Sequence, residues 1–374
     1  MAKIIISLIL CLLAVASVEA QQVVTGQITN EYDGTPIPDA SVFIAHTTIV
    51  TQSDRYGNFS LTVPIQGSFQ VIVSHIGFQS ASRTIDTPQV SHQVNFALQE
   101  HILQEIVVMP CIPHRRKDEN LFWQTILGER PSNRRMQVLN PEAVRFCLTA
   151  TDILRVFADE PIEIINHTMG YHISYVLRIF EHNYQNEETF ISGMPLFTEL
   201  TPQSDRQRNQ WKSRRQEAYS VSLTRFIRAL YQEQLHENGF FLAKEDLTGQ
   251  SGLMTTALAQ SSILQGVVVA SRANMIPLTL AQAHILQRDE EAVRVNITQS
   301  IFLACISRPV TYEMFGNPNR TMFNRRATFP IIKLLPSDII IYSDGSYSGV
   351  LNISEFRNSI TGLRAGLPIE YRVK

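Results

Sequence analysis

Asn58-Phe59-Ser60-Leu61-Thr62-Val63 and, after a short break, Phe69-Gln70-Val71-Ile72-Val73-Ser74 decide how the first part of the chain folds. Phe59, Leu61 and Val63 alternate with polar residues, and Phe69, Val71 and Val73 keep the same period of two. That period puts one set of side chains on a dry face and the other in water, which is a half-buried strand. Val42 and Ile44 open an earlier run of this kind, and Val94, Phe96 and Leu98 form a later one. The breaks between runs carry turn residues: Asp33-Gly34-Thr35-Pro36, Asp54-Arg55-Tyr56-Gly57-Asn58, and residues 64–67. Short strands at this spacing predict an antiparallel β-sandwich of about seven strands over residues 21–100. Gly57 is expected to supply a positive φ and Asp54 to accept from amides two or three residues on. The same loop is too poor in carboxylates to read as a calcium site.

The chain begins with a positive residue, Lys3, followed by an apolar run over residues 4–18. Val18-Glu19-Ala20 then places small residues before Gln21. This pattern predicts a secretory signal peptide over residues 1–20, too short for a spanning helix. Cys11 lies inside the apolar run after the large Leu10, which argues against lipidation there. Loss of residues 1–20 removes Lys3 and Glu19 together, so the net charge stays at −2. A balance so close to neutral gives no reason to expect nucleic acid, and no later stretch is long enough to cross a bilayer as a helix. Cys111, Cys147 and Cys305 remain, an odd number too widely spaced for a zinc site. Cys147 and Cys305 sit in apolar, strand-like runs and read first as buried small side chains, with a disulfide between them as the alternative. Five Asn-x-Ser/Thr sequons, at Asn58, Asn166, Asn296, Asn319 and Asn352, are glycan acceptors only where the source glycosylates its exports.

Val24-Thr25-Gly26-Gln27-Ile28, then Pro36-Ile37-Pro38-Asp39-Ala40-Ser41-Val42, Asp54-Arg55-Tyr56-Gly57-Asn58-Phe59 and Val73-Ser74-His75-Ile76-Gly77-Phe78 resemble the carboxypeptidase regulatory-like domain. That resemblance implies a prealbumin-like sandwich and, for function, an accessory module of exported proteins. A strand over residues 102–108 and a proline-containing, basic stretch over 109–120 make residues 101–121 the linker. In the family such a strand often leads into an outer-membrane barrel. Here too little chain remains for a barrel of that size.

Residues 122–374 read as a mixed α+β region, so the whole chain is mainly β with α. Ile162 and Ile164 before a turn, and Tyr171, Ile173, Tyr175, Leu177 and Ile179 after it, predict a hairpin over 161–180. A second hairpin is expected around the Asp344-Gly345 turn. Val293, Val295, Ile297, Ile301 and Leu303 give a further strand pattern. One helix is expected over 205–236, with Asp205 as N-cap, Gly239 as its end, and Trp211 and Phe226 in the core. Its other faces carry Arg206, Arg208, Lys212, Arg214, Arg215, Arg225 and Arg228. Trp211, Arg214, Arg215, Arg225 and Arg228 are the candidate binding surface, for an anion or glycan; the plain alternative is a solvated helix. Leu139-Asn140-Pro141, Met169-Gly170-Tyr171, Tyr175-Val176-Leu177 and Leu367-Pro368-Ile369-Glu370-Tyr371 resemble C-terminal regions that accompany the regulatory-like module in Bacteroidetes-type exported proteins. No activity comes with that resemblance.

Chemistry that is local in sequence is missing. No histidine is followed by Glu at zinc-ligand spacing, and no P-loop or dinucleotide fingerprint occurs. Gly345-Ser346-Tyr347-Ser348-Gly349 has Tyr where a serine nucleophile would stand. Carboxylates can converge from far apart, and Asp159, Glu160 and Glu163, or Asp289, Glu290 and Glu291, are the clusters to examine. No catalytic, metal or cofactor site is therefore expected. The reading is an exported, non-enzymatic protein of the periplasm or outer membrane, binding an envelope protein or glycan. The alternative is a glycan or peptide hydrolase whose carboxylates meet only in the fold.

Overall fold

Strand β4 (Asn58–Val63) alternates buried and exposed residues without a break, as its sequence requires, and it pairs antiparallel with β1 (Gln22–Asn30). The computed structural model describes residues 22–86, 91–100, 115–128, 131, 134–185, 187–245, 275–278, 286–288, 292–305, 331–349, 353–355, 363 and 366–373. The expected signal peptide, the expected strand over 102–108, and Asp289, Glu290 and Glu291 lie outside these residues.

The first unit is a sandwich of two sheets. One holds β4, β1, β7 (Ser91–Gln93) and β8 (Phe96–Leu98); the other runs β3 (Val50–Gln52), β2 (Ser41–Ile44), β5 (Phe69–Ser74), β6 (Ala81–Ile85). Val24, Ile28, Val42, Ile44, Phe59, Leu61, Val71, Val73, Phe96 and Leu98 fill the space between them. The pairing is not antiparallel throughout. After β6 the chain changes sheets and returns beside β1 in the same direction, so β7 and β8 both pair parallel with β1. Gly26 makes room for the step between them, since a Cβ there would stand 1.8 Å from the Val94 carbonyl oxygen. Gly57 has φ 75° and Asp54 Oδ1 accepts from the Tyr56 amide two residues on (2.8 Å), as the sequence predicts, and also from the Asn58 amide four residues on (2.9 Å), further than expected.

The region after the linker holds two hydrophobic cores rather than one. Helix α1 (Arg116–Leu127) begins inside the stretch read as linker and lays Phe122, Trp123, Ile126 and Leu127 onto a six-stranded sheet. That sheet runs β10 (Val144–Leu148), β11 (Ile153–Ala158), β13 (Tyr171–Asn183), β12 (Ile162–Asn166), β9 (Met136–Val138), with β14 (Glu188–Glu199) on the other side of β13. The β12–β13 hairpin is the one expected from residues 161–180. A bulge between Leu177 and Ile179 shifts β13 by one residue, which keeps Phe180 facing the core. Cys147, on β10, is disulfide-bonded and not a free buried thiol. The pairing with Cys305 lies outside the described side chains.

The third unit also packs two sheets. One runs β16 (Met275–Leu278), β15 (Phe240–Glu245), β19 (Ile301–Cys305), β20 (Ile331–Leu334), β23 (Ile353–Glu355). The other runs β17 (Leu286–Arg288), β18 (Val293–Ile297), β21 (Ser337–Ile341), β22 (Tyr347–Gly349). The apolar runs 293–297 and 301–305 therefore belong to opposite sheets, and both bury side chains in the shared core. The single helix expected over 205–236 is two: α2 (Asp205–Ser220) and α3 (Leu223–Tyr231). Ser222 caps α3 by accepting from the Arg225 amide at 3.2 Å, so the chain stops and restarts there. Ser204, not Asp205, caps α2. Among the described residues no helix is long and apolar enough to cross a membrane.

Candidate functional site

The five candidate residues on α2 and α3 do not share one surface. The Trp211 indole lies on Gly170, where φ is 71° and a Cβ would come within 2.3 Å of the ring, and its Nε1 donates to His167 O at 2.9 Å. Arg215 is 12% exposed at its side chain; it donates from Nε to Met169 O (2.8 Å) and from Nη2 to Gly170 O (3.0 Å). Its guanidinium stands 4.0 Å over the Tyr171 ring and meets Glu199 at 3.0 Å. Arg225 donates to Ser220 O at 2.6 Å and leans over Phe240. Arg214 is exposed and pairs with Glu217 at 3.1 Å. The exposed cations of α2 are Arg206, Arg208, Lys212 and Arg214.

Arg228 is only 7% exposed and serves as a hub. Nε donates to Asp344 O (2.8 Å), Nη1 to Tyr219 OH (2.8 Å) and Tyr371 O (2.9 Å), and Nη2 to Ile369 O (2.9 Å). The carbonyls of Ile369 and Tyr371 belong to a strap over residues 366–373 that touches all three units. The Tyr371 ring lies 5.7 Å from Tyr219 on α2, and Ile369 N donates to His46 O at 2.9 Å in the first sandwich. Glu370 Oε1 accepts from both the amide and the hydroxyl of Thr48 at 2.5 Å. Leu363, just before the strap, donates to Ile126 O on α1 and accepts from Asn166 Nδ2. Asn166 is fully buried in these contacts and so is a structural residue, not an exposed glycan acceptor.

Two turns singled out by their residues meet here. Gly67 N donates to Ser346 Oγ (2.8 Å), Ser68 N to Ser348 Oγ (2.9 Å) and Gln66 N to Asp344 Oδ2 (3.0 Å). The first sandwich also adds main chain to the second unit: His46 N donates to Pro195 O (2.7 Å) and Phe197 N to Thr47 O (2.9 Å). Beside this seam, Phe43, Ala45 and Ile72 pack against Val176, Met194 and Leu196.

The acidic groups are engaged within the fold. Asp159 pairs with Arg145 at 2.5 Å, and Glu160 accepts from Asn140 at 3.3 Å. Glu163 takes an ion pair from His172 (2.7 Å) and a hydrogen bond from Ser174 (2.8 Å). The carboxylate stands between the hydroxyl and the ring, so this trio does not form a relay in which a histidine deprotonates a serine. The hydrogen bond to Glu163 raises the His172 pKa against the opposing effect of burial. Asp118 is buried; burial pushes its pKa up, but hydrogen bonds from Tyr184 OH and from the Arg115 amide and guanidinium outweigh it and lower the carboxyl below its ordinary range. Among the described residues no three His, Cys, Asp or Glu side chains form a metal-sized cluster.

What sequence reasoning missed is an apolar strip. Phe157, Ile179 and Phe190 are 48%, 55% and 62% exposed on β11, β13 and β14. An exposed phenylalanine looks like a core residue in sequence, and only the bulge in β13 decides which face Ile179 takes.

Residues 24–108 match the CarboxypepD_reg-like domain, so the first sandwich is a carboxypeptidase regulatory-like domain. No curated protein matches the chain. Part of the chain is similar to a C-terminal interface mutant of a type II cohesin–X-dockerin complex from Acetivibrio cellulolyticus: 16% identity over 20% of this chain, TM-score 0.18. The chain spans about half of that structure's chain, 51%. A protein of unknown function from Bacteroides fragilis is 10% identical over 90% of this chain and 99% of its own, with TM-score 0.18.

Proposed function

We propose that the chain is an exported, non-enzymatic protein of the periplasm or outer membrane, in which the regulatory-like sandwich is an adaptor and the other two units bind or assemble with an envelope partner. One observation carries the reading: the ionisable groups nearest a catalytic pattern, Glu163, His172 and Asp118, are tied into structural pairs, while Phe157, Ile179 and Phe190 stand together in water. Contiguous exposed apolar side chains mark interaction surfaces. The secretory pattern of residues 1–20 and the accessory nature of the sandwich support the same reading. For an anionic partner such as a glycan, the surface narrows to Arg206, Arg208, Lys212 and Arg214, the exposed cations of α2.

The test is capture of envelope components by residues 21–374, followed by titration of the purified candidate. Saturable binding of one component supports the reading. Turnover of a glycan or peptide by the purified protein overturns it in favour of a hydrolase.

A further inference from the structure

The outer face of the second sheet is covered over part of its length and bare beyond it. Val176, Met194 and Leu196 lie under the first sandwich. Past the bulge, Ile179 and Glu181 carry the same face forward, opposite Ser192 and Phe190 of β14. Arg155 stands opposite Glu181 on β11, and Phe157 follows two residues later on the same face. Phe157, Ile179 and Phe190 thus extend an apolar surface that the sandwich already uses.

β14 is also an edge strand, whose strand partner among the described residues is β13. On the side away from β13, Pro195 and Phe197 bond to His46 and Thr47, in the turn after β2, where His46 has φ 63° and Thr47 forms an isolated parallel bridge with Leu196. Alternation of the backbone places the main-chain groups of Gly193, Ile191 and Thr189 on that same side. Among the described residues none bonds to them there. Half of this edge already takes main-chain bonds from a neighbouring turn, and the other half presents its main-chain groups on the same side with exposed apolar side chains beside it.

We infer that the free half of β14, residues 188–193, is a strand-addition site for an extended segment of another protein. The segment continues the line of Thr47 and carries apolar residues at alternate positions, so that they lengthen the strip of Phe157, Ile179 and Phe190. Main-chain bonds supply affinity in this mode and alternate side chains supply selectivity. The inference rests on the binding reading above and gives it a site and a partner chemistry.

Amide hydrogen exchange tests it on residues 21–374, with a soluble octapeptide of alternating valine and threonine, lysine at each end, as the probe. The amides of Thr189, Ile191 and Gly193 are expected to slow by about tenfold, roughly the value of one backbone hydrogen bond. Ile191→Pro, which lacks the donor, is expected to lose the effect. Phe190→Asp, a surface change that leaves the ladder intact, is expected to weaken peptide binding by a similar factor. Unchanged exchange at saturating peptide overturns the inference. So does protection already present in the free monomer, which would mean that the chain covers its own edge. Protection that grows with protein concentration alone would assign the edge to a second copy and overturns it too. An envelope partner that binds Ile191→Pro and Phe190→Asp as well as the parent removes this site while leaving the binding reading standing.

Discussion

The Trp211 indole rests on Gly170 with no space for a methyl group between them, since a Cβ at residue 170 would fall 2.3 Å from the ring. The same glycine has φ 71°, a conformation that a side chain disfavours. Gly170→Ala is therefore expected to destabilise the protein by about 2–4 kcal/mol, combining overpacking with backbone strain. Urea unfolding followed by tryptophan fluorescence measures it; a change below about 0.5 kcal/mol, the level of an ordinary surface substitution, contradicts the packing described.

Arg228 satisfies three main-chain carbonyls and a tyrosine hydroxyl with one planar fork. Lysine offers a point charge and cannot reach all four, so Arg228→Lys is expected to behave nearly as badly as Arg228→Ala. Each should lose about 2–3 kcal/mol, the scale for unpairing buried polar groups. Thermal melts of the two variants decide it: a lysine variant as stable as the parent would mean that charge alone matters.

Asp118 has a folded pKa below its ordinary value of 3.8. A lowered carboxylate contributes stability that is present above the unfolded pKa and lost as pH falls through the folded one. Tyr184→Phe removes one of the hydrogen bonds holding it down, at a loss of about 1.5–3 kcal/mol near neutral pH. The loss should shrink as pH falls through the lowered folded value, below which Asp118 is protonated in both variants. A loss of equal size at all pH values would assign it to packing of the ring instead.

His172 has the opposite sign. Its pKa lies above 6.5 because the protonated ring bonds to Glu163. The stability it contributes is fully present below 6.5 and disappears as pH rises through the raised folded value. Both groups are about a third exposed, so solvent screens the pair and the effect on stability is small. The titration itself is the sharper readout: NMR should show the His172 pKa fall on Glu163→Gln, and an unchanged pKa would dissociate the two residues.

The strands of the first sandwich were legible because Phe59, Leu61 and Val63 carry a period of two, and turn residues bound each run. Its pairing was less so: whether β7 and β8 run with or against β1 depends on where the chain crosses between sheets, which no local pattern records. The β12–β13 hairpin was legible for the same reason as the sandwich strands. The division of α2 from α3 was hidden because Val221 and Ser222 are tolerated inside a helix, and Ser222 becomes a cap only once its side chain turns to the Arg225 amide. The basic helix misled for a general reason. An arginine reads as surface in sequence, yet Arg215 and Arg228 spend their donors on carbonyls contributed by residues 169–170, 344 and 369–371. The apolar strip escaped because exposure depends on what covers a sheet face.

The seam between His46-Thr47 and β14 has a mechanical consequence. Its two hydrogen bonds lie across the strand direction, at Pro195 and Phe197. Tension along β14 loads both together in shear, together with the Phe43, Ala45 and Ile72 contacts beside them. Tension across the strand opens the bonds one after the other, like a zip. The joint should be stiff in one direction and weak in the other, and single-molecule pulling from two attachment geometries would read the difference as two distinct rupture forces.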